Sequence, residues 1–237
     1  MWQFIKQLVS RPPAQGNALP QPLDLSRVRR VLVIAPHPDD ETLGCGGTLA
    51  RLAQDCDIHV LLVTNGDGGG GLPPGTSEAR KSEMADAVRT LGIANDVIHF
   101  DAPDGKFEDT PAFRTLLASL VERLNPDWVF LPWIGDTHTD HARISASATD
   151  VLKRTPVQSL LYYETWTPVP ATHVVDITLT LDTKQAALLC HETALKYGNY
   201  MDAMVGLNAY RALYLPPGER KWAEAYAVTP PHPNRFL

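Results

Sequence analysis

Short apolar runs alternate with longer amphipathic segments along most of this chain. Runs of this length predict buried strands, over 31–35, 58–63, 97–100, 128–133, 160–163, 173–177 and 224–228. The segments between them predict helices over 42–54, 78–92, 111–124, 141–153, 183–195 and 201–213. Strands that alternate with helices are typical of βαβ units. We therefore expect an α/β fold, a Rossmann-like and mostly parallel sheet with helices on both faces.

One domain is expected over 28–237, because a chain of 237 residues suits a single α/β domain. Residues 1–27 are predicted to form an N-terminal arm, which is irregular where four prolines fall between Arg11 and Ser26. The first nine residues mix apolar and polar positions and predict no signal peptide, although a weak surface-anchoring helix is an alternative there. No apolar run is long enough to predict a transmembrane segment.

Two polar motifs directly follow two of the predicted strands. After the first strand, residues 36–41 read PHPDDE, and after the fourth, residues 136–141 read DTHTDH. The carboxyl ends of parallel strands meet at one edge of the sheet, where open α/β folds build their sites. We therefore expect the two motifs to share an active site at that edge.

His37, Asp40 and His141 form a candidate metal site. Two imidazoles and a carboxylate are a ligand set of catalytic Zn²⁺, which keeps a position for water and substrate. A single histidine at a strand end is more often a hydrogen-bonded polar residue, but the arrival of three donors at one edge favours a metal. The adjacent Asp39 and Asp40 would also repel each other without a cation. Zn²⁺ is the predicted cofactor, and Fe²⁺ or Co²⁺ would suit the same donors.

Three further side chains of the motifs are candidate catalytic groups. With Asp40 on the metal, ionised Asp39 could accept a proton from a metal-bound water. His138, in its protonated form, could donate to a developing oxyanion or to the leaving group. Asp140 could orient one of two imidazoles, and the spacing does not show which. The acids of the first motif would also suit a helix N-terminus, and such a role is compatible with metal binding.

The charge of the chain narrows the class of partner. It has 27 acidic and 21 basic residues and a net charge of −6, without the basic patch that nucleic acids require. A small-molecule substrate is therefore expected, and a homo-oligomer is compatible with the sequence. Three cysteines without a C-x-x-C pair favour reduced thiols and a cytoplasmic location. The sequence contains neither G-K-[ST] nor G-x-S-x-G, so it predicts no P-loop and no serine-hydrolase elbow.

The joined motifs resemble those of the PIG-L/LmbE-like family of zinc-dependent N-acetylglucosaminyl deacetylases. The resemblance runs from about residue 31 to residue 191, with softer matches at 64–67, 80–83, 91–92, 103–105, 184–191 and 223–226. It implies that the two histidines and the aspartate of the candidate metal site bind zinc. It also implies that Asp39 is the general base and that His138 stabilises the tetrahedral intermediate or protonates the amine.

The resemblance further implies a substrate. Arg80 and Asp104 match positions that the family uses around the sugar, and Asp67 and His191, which lie in two softer matches, are added as candidate substrate-binding residues. The implied reaction removes the N-acetyl group from an N-acetylglucosamine-type sugar or glycoside. An Asp-activated, metal-bound water would release acetate and a free amine.

Three alternatives remain open. The chain could be an amidase of a related sugar conjugate. The spacing of His37, Asp39 and His141 also suits an Fe(II) oxygenase, but that ligand set is associated with all-β scaffolds rather than alternating strands and helices. A non-catalytic sugar-binding module would be expected to lack a ligand or the base, and here all of them are present.

Overall fold

The structure is a computed structural model that describes residues 19–68, 71–219 and 222–229. Its strands are β1 (Gln21–Pro22), β2 (Arg30–Ala35), β3 (Asp57–Thr64), β4 (Ile98–Ala102), β5 (Trp128–Pro132), β6 (Ser159–Tyr163), β7 (His173–Asp176) and β8 (Ala223–Thr229). Its helices are α1 (Asp40–Leu52), α2 (Thr76–Thr90), α3 (Pro111–Leu124), α4 (Thr139–Leu152), α5 (Leu181–Cys190), α6 (Glu192–Leu195) and α7 (Tyr200–Arg211), and α7 continues into a 3₁₀ turn at Ala212–Tyr214.

The strands form one sheet in the order β1-β7-β8-β6-β5-β2-β3-β4. Every pair is parallel except those of β8, which is antiparallel to both β6 and β7. The predicted α/β fold with a mostly parallel sheet is therefore confirmed. From β2 the chain adds β3 and β4 on one side and then returns to the other side with β5. The order of the strands thus reverses between β2 and β5, and such a switch point leaves a crevice at the carboxyl ends of the strands.

Both faces of the sheet are covered, which explains why the strands read as continuous apolar runs. Along β2, Val31 and Val33 face one core layer, whereas Leu32 and Ile34 face the other. Residues of α1, α2 and α5 complete the first layer. Residues of α3 and α4 complete the second.

Glycines let α1 lie close to its neighbours. A Cβ on Gly44 would overlap the ring of Tyr163, and one on Gly47 would lie 2.8 Å from the side chain of Ile177. A larger residue at either position would push the helix away. This part of the glycine-rich segment therefore serves close packing.

Two details differ from the prediction. Gln21–Pro22 pairs with β7, so this part of the predicted irregular arm is an edge strand. The helix predicted over 183–195 is divided at His191, whose φ of −81° and ψ of 57° interrupt the helix between α5 and α6. The candidate anchoring helix lies outside the described residues, and the division into arm and domain stays a prediction. Among the described helices, none is both long and apolar enough to cross a membrane.

Candidate active site

The structure brings the two polar motifs together at the crevice between β2 and β5. His37 and Asp40 lie between the end of β2 and the first turn of α1, and His138 and His141 lie between the end of β5 and the first turn of α4. Because β2 and β5 are hydrogen-bonded neighbours, these two connections lie side by side. The residues are therefore distant in sequence and adjacent in space.

Three donor atoms form a compact triangle. His37 Nδ1 lies 3.2 Å from Asp40 Oδ2 and 3.1 Å from His141 Nε2. Asp40 Oδ2 lies 3.1 Å from His141 Nε2. Tetrahedral zinc, with bonds to nitrogen and oxygen of about 2.0–2.1 Å, places its ligand atoms roughly 3.3 Å apart. The three side chains therefore fit a divalent metal of this size.

The charge around the triangle also suits a cation. Besides the buried Asp40 of the triangle, four buried carboxylates lie around it, those of Asp39, Asp104, Asp136 and Asp140. Burial opposes a positive charge on His141, yet the charge of Asp40 and a hydrogen bond to Asp136 raise the pKa of His141 to about 9. The surroundings therefore favour positive charge at this ring. Zn²⁺, Fe²⁺ and Co²⁺ all suit these donors.

Two carboxylates hold the far side of the His37 ring. Its Nε2 lies 3.1 Å from Asp104 Oδ1 and 3.3 Å from Asp140 Oδ2. Asp140 also accepts hydrogen bonds from the backbone N–H groups of Gly105 at 2.7 Å and Phe107 at 3.1 Å. This arrangement suits an Nε2–H that donates to the carboxylates, which leaves Nδ1 for the metal. Asp140 therefore contacts the imidazole of His37, a choice that its spacing in the sequence left open.

His37 also belongs to two other groups of possible metal donors. One contains His138 and His141, the other contains Asp104 and Asp140, and within each group the donor atoms lie within 4.8 Å of one another. The backbone hydrogen bonds of Asp140 favour an orienting role for the second group. In the first group, His141 Nε2 lies 3.1 Å from His37 Nδ1, and the centroid of the His138 ring lies 4.7 Å from that of His37. All three distances of the triangle with Asp40 are 3.1 to 3.2 Å, so we take it as the candidate metal site.

His141 is held in the same way by different partners. Its Nδ1 lies 3.3 Å from Asp136 Oδ2 and 3.0 Å from Thr165 Oγ1, and the Thr165 hydroxyl donates to Asp136 at 3.1 Å. These contacts occupy Nδ1 and leave Nε2 to face the triangle. Asp136 comes from the second motif, whereas Thr165 follows β6.

Asp39 adopts an unusual backbone conformation at the start of α1. Its φ of 145° and ψ of −24° lie in a sparsely populated region, where a non-glycine residue costs about 1–3 kcal/mol. Asp39 occupies the N-cap position, but within the described chain its carboxylate makes no capping hydrogen bond. Instead Asp39 Oδ2 accepts a hydrogen bond from Arg80 Nη2 at 3.3 Å. Burial, reinforced by the charge of Asp40 and opposed by Arg80, raises the pKa of Asp39 to about 6.

His138 lies against the rings of both metal-site histidines, with centroid distances of 4.7 Å to His37 and 4.6 Å to His141. Its buried Nδ1 has no hydrogen-bond partner among the described residues. Burial lowers the pKa of His138, and the positive charges of the two neighbouring imidazoles lower it further. These effects oppose the protonated form that the sequence predicts. A neutral imidazole still offers one N–H donor.

A buried ion pair fixes the helix that carries Asp40. Lys184 Nζ donates to Glu224 Oε1 at 2.7 Å and to the backbone oxygen of Leu43 at 2.8 Å. Glu224 accepts hydrogen bonds from the backbone N–H groups of Gly47 and Thr48, both at 2.8 Å. These contacts attach the first half of α1 to α5 and β8. The position of Asp40 therefore depends on residues near the end of the chain.

A cavity of about 190 Å³ opens onto the site. Its walls include His37, Asp39, Asp40, Leu43, Gly68, Arg80, Asp104, His138, Trp166 and Tyr200. Arg80 and Asp104, predicted to contact the sugar, therefore lie at the cavity. Arg80 also contacts Asp39, and Asp104 also contacts His37. Arg80 Nη1 lies 3.6 Å from Asp104 Oδ2, and the same oxygen accepts a hydrogen bond from the Gly68 N–H at 2.9 Å.

The structure places the other two predicted substrate-binding residues differently. Asp67 exchanges hydrogen bonds with Asn65, in the loop that leads to Gly68. His191 is buried behind α1, where its Nε2 lies 3.3 Å from Glu41 Oε1 and 3.2 Å from Thr42 Oγ1. Neither is among the described residues that line the cavity. Their contact with substrate stays a prediction.

Several residues at the site escaped the sequence analysis. Asp136 was part of a recognised motif but had no assigned role, and Thr165 could have been suspected because it follows a strand beside β5. Leu43, Trp166 and Tyr200 carried no local signal. They become neighbours only when α7 and the segment after β6 fold over the first turn of α1.

A family comparison agrees with this geometry. The model of the GlcNAc-PI de-N-acetylase family, PIG-L, matches residues 32–152, which contain both motifs. The chain belongs to this family. The match begins in β2 and ends at the last residue of α4, so it covers the whole of the switch point.

Individual relatives support the assignment. The chain is 28% identical to a probable N-acetyl-alpha-D-glucosaminyl L-malate deacetylase 2 of Bacillus cereus, over 63% of this chain and 69% of that protein. It is 28% identical to the diacetylchitobiose deacetylase of Thermococcus kodakarensis, over 70% of each. A solved structure of a conserved protein from Thermus thermophilus is 32% identical, with a TM-score of 0.69, over 87% of this chain and 96% of that one.

This chain spans only 21% to 35% of the length of three other relatives that it matches. The family and the named relatives together indicate a deacetylase, which is a hydrolase. The His and Asp donors of the crevice are a group that could hold the metal of such an enzyme.

Proposed function

We propose that this chain removes the N-acetyl group from an N-acetylglucosamine-type sugar or glycoside and releases acetate and a free amine. The observation that carries the proposal is the His37–Asp40–His141 triangle with Asp39 beside it at the cavity. Metal donors, with a carboxylate outside the donor set that can accept a proton from water, are the groups that metal-assisted hydrolysis of an amide uses. The family and the two named deacetylases support the choice of an N-acetylated sugar.

A divalent metal held by His37, Asp40 and His141 would polarise the acetamide carbonyl and lower the pKa of water. The protein's part is to keep the three donors in place. Asp104 and Asp140 hold the ring of His37, and Asp136 and Thr165 hold that of His141.

Asp39 is proposed as the general base. It does not belong to the triangle, lies next to Asp40 and lines the cavity. Because its pKa is raised only to about 6, it is largely ionised at neutral pH and can accept a proton from the attacking water. The same carboxyl can then return that proton to the nitrogen as the C–N bond breaks.

His138 is proposed to stabilise the carbonyl oxygen as negative charge develops on it. Its ring lines the cavity beside His37 and His141. Because its pKa is lowered, we assign the neutral imidazole to this role, with one N–H donated to the oxygen. This assignment replaces the protonated His138 of the sequence analysis.

Arg80 and Asp104 are proposed to bind the sugar. Arg80 offers N–H donors and Asp104 offers carboxylate oxygens on the same wall of the cavity, a combination that suits vicinal hydroxyl groups. Arg80 would also keep Asp39 ionised through their contact at 3.3 Å.

The proposal is tested by incubating metal-loaded protein with N-acetylglucosamine glycosides and measuring acetate and primary amine together. Equal amounts of both products are expected, with Asp39→Asn as a metal-retaining control of low activity. Amine without acetate, released from a glycoside whose aglycone carries a second amide, would indicate an amidase acting on that second bond. Binding without either product would indicate a sugar-binding module and would contradict the proposed hydrolysis.

A further inference from the structure

A second pocket of different character adjoins the cavity at the site. The pocket, about 130 Å³ in volume, shares Leu43, Trp166 and Tyr200 with the cavity. Beyond these three residues, its walls include Ala203, Met204, Leu207 and Ala225. The far wall comes mainly from α7, and Trp166, which is 56% exposed, forms part of both spaces. The site therefore has a polar side and an apolar side.

The apolar pocket lies alongside the metal triangle. Gly44 lines it and follows Asp40 by four residues, which places the two on the same face of α1. Thr165 also lines the pocket, and its hydroxyl lies 3.0 Å from His141 Nδ1. Residues that line the pocket therefore lie next to two of the three donors, Asp40 and His141.

Carboxylate and amide oxygens of two polar residues that line this pocket already have partners. Glu164 accepts hydrogen bonds from Arg211 Nε at 2.9 Å and Nη2 at 2.6 Å. Asn208 Oδ1 accepts one from Lys184 Nζ at 3.1 Å. A sugar placed here would bury hydroxyl groups against groups that are already paired, and such burial is unfavourable. An apolar occupant meets no such cost.

The shape of an amide indicates which part of the substrate enters the pocket. A secondary amide is planar and trans, so the groups on its nitrogen and on its carbonyl carbon extend in opposite directions. Under the proposed function, the sugar on the nitrogen contacts Arg80 and Asp104. The acyl group must then extend away from them, and three other residues of the cavity, Leu43, Trp166 and Tyr200, also line the apolar pocket.

We propose that this pocket binds the acyl chain of the substrate, so that the enzyme hydrolyses, besides the N-acetyl compound, N-acylated amino sugars whose acyl group is longer than acetyl, and prefers these. The inference rests on the proposed function and deepens it. The chemistry is unchanged: water adds to the carbonyl carbon, the C–N bond breaks and the nitrogen gains a proton. The products are the free amino sugar and a short-chain carboxylate.

The test compares methyl glycosides of N-acetyl-, N-propionyl-, N-butyryl- and N-hexanoyl-glucosamine with the metal-loaded protein. Each methylene that enters an apolar pocket should raise kcat/KM by about fourfold until the pocket is filled. A wild-type series that is flat or falls while acetate is still released would overturn the acyl pocket and leave the proposed function intact. Release of no carboxylate from any member would instead contradict the proposed function, and the acyl pocket with it.

A matched pair of variants on α7 locates the effect. Ala203 and Ala209 are both exposed, but only Ala203 is among the residues that line the pocket. Ala203→Phe should fill the pocket and bring the ratio of butyryl to acetyl turnover down to one or below, whereas Ala209→Phe should keep the wild-type ratio. An unchanged ratio in Ala203→Phe would overturn the proposal.

An additional arm compares octyl and methyl glycosides of N-acetylglucosamine. Similar kcat/KM values for the two are expected, because the aglycone extends from the sugar rather than from the acyl group. A gain with the octyl glycoside that Ala203→Phe abolishes would place the aglycone in the pocket and overturn the acyl assignment.

Discussion

The two strand ends that build the site achieve their geometry differently. After β2, the chain enters α1 through Asp39, whose φ is 145°. After β5, it enters α4 through His138, whose φ of −74° and ψ of 122° are those of ordinary extended backbone. The first connection is strained, whereas the second is relaxed.

Distant residues hold both ends, but through different groups. Arg80 on α2 holds the Asp39 carboxylate, and Glu224 on β8 holds the backbone of α1. At the relaxed end, Asp136 orients His141 from five residues away, and Thr165 contacts the same ring nitrogen. Strained backbone persists where the surrounding structure holds it in place, and such positions cluster at active sites. The residue that we propose as the proton acceptor therefore lies at the strained end.

The largest expected effect is on the strained end. Asp39→Asn should lower kcat/KM by about 10² to 10⁴, because an amide cannot accept the proton. His138→Ala, at the relaxed end, should cost about 10² to 10³, the usual value of an oxyanion donor. Metal content, measured by elemental analysis, should match the wild type in both variants. Near wild-type kcat/KM in metal-loaded Asp39→Asn would show that another group activates the water.

The next largest expected effect is on the acidic limb of the profile of kcat/KM against pH. Because Asp39 is proposed to act in its ionised form and burial raises its pKa to about 6, kcat/KM should fall roughly tenfold per pH unit below that value and level off above it. Arg80→Gln removes the cation that opposes the raised pKa, so this limb should move to higher pH. Metal content at each pH separates the limb from loss of metal. An acidic limb at the same pH in Arg80→Gln would contradict the effect of Arg80 on the pKa of Asp39.

The carboxylates behind the two imidazoles should have smaller effects on metal affinity. Replacing such a partner typically weakens metal binding by about 10- to 100-fold. The loss of metal affinity in Asp136→Asn should be near the upper value, because Asp136 is the carboxylate that contacts His141 Nδ1. Asp140→Asn should fall near the lower value, because Asp104 still contacts His37. Competition with a chelator measures both, and the exposed Asp55→Asn is the control. The reverse order would mean that Asp104 does not orient His37.

The smallest expected effect is on stability. Asp39→Gly should raise the free energy of unfolding of the metal-free protein by about 1 kcal/mol, because glycine tolerates positive φ. His138→Gly relieves no strain and should give no such gain. Asp39→Asn serves as the control for loss of the charge beside Asp40. Urea denaturation measures all three variants. Equal stability of Asp39→Gly and Asp39→Asn would show that the backbone at this position is not strained.

Local signals explain which elements could be predicted. The helix predicted over 111–124 has the bounds observed for α3, because Pro111 opens it and the Thr110 side chain accepts a hydrogen bond from the Phe113 N–H. The helix predicted over 183–195 was wrong at His191. Its residues have no local break signal, and the ring of His191 contacts Glu41 on α1. Such a contact is not visible in the sequence around it.

The sequence by itself determined the α/β fold and the two motifs, because both follow from local patterns: apolar runs of strand length, and donors that directly follow those runs. It also supplied His37, Asp40 and His141 as candidate ligands. Only the tertiary structure decided that Asp140 contacts His37, that Asp136 and Thr165 hold His141, and that α7 forms an apolar wall beside the site. These facts depend on how segments distant in the chain pack together, and packing of that kind leaves no periodicity in the sequence.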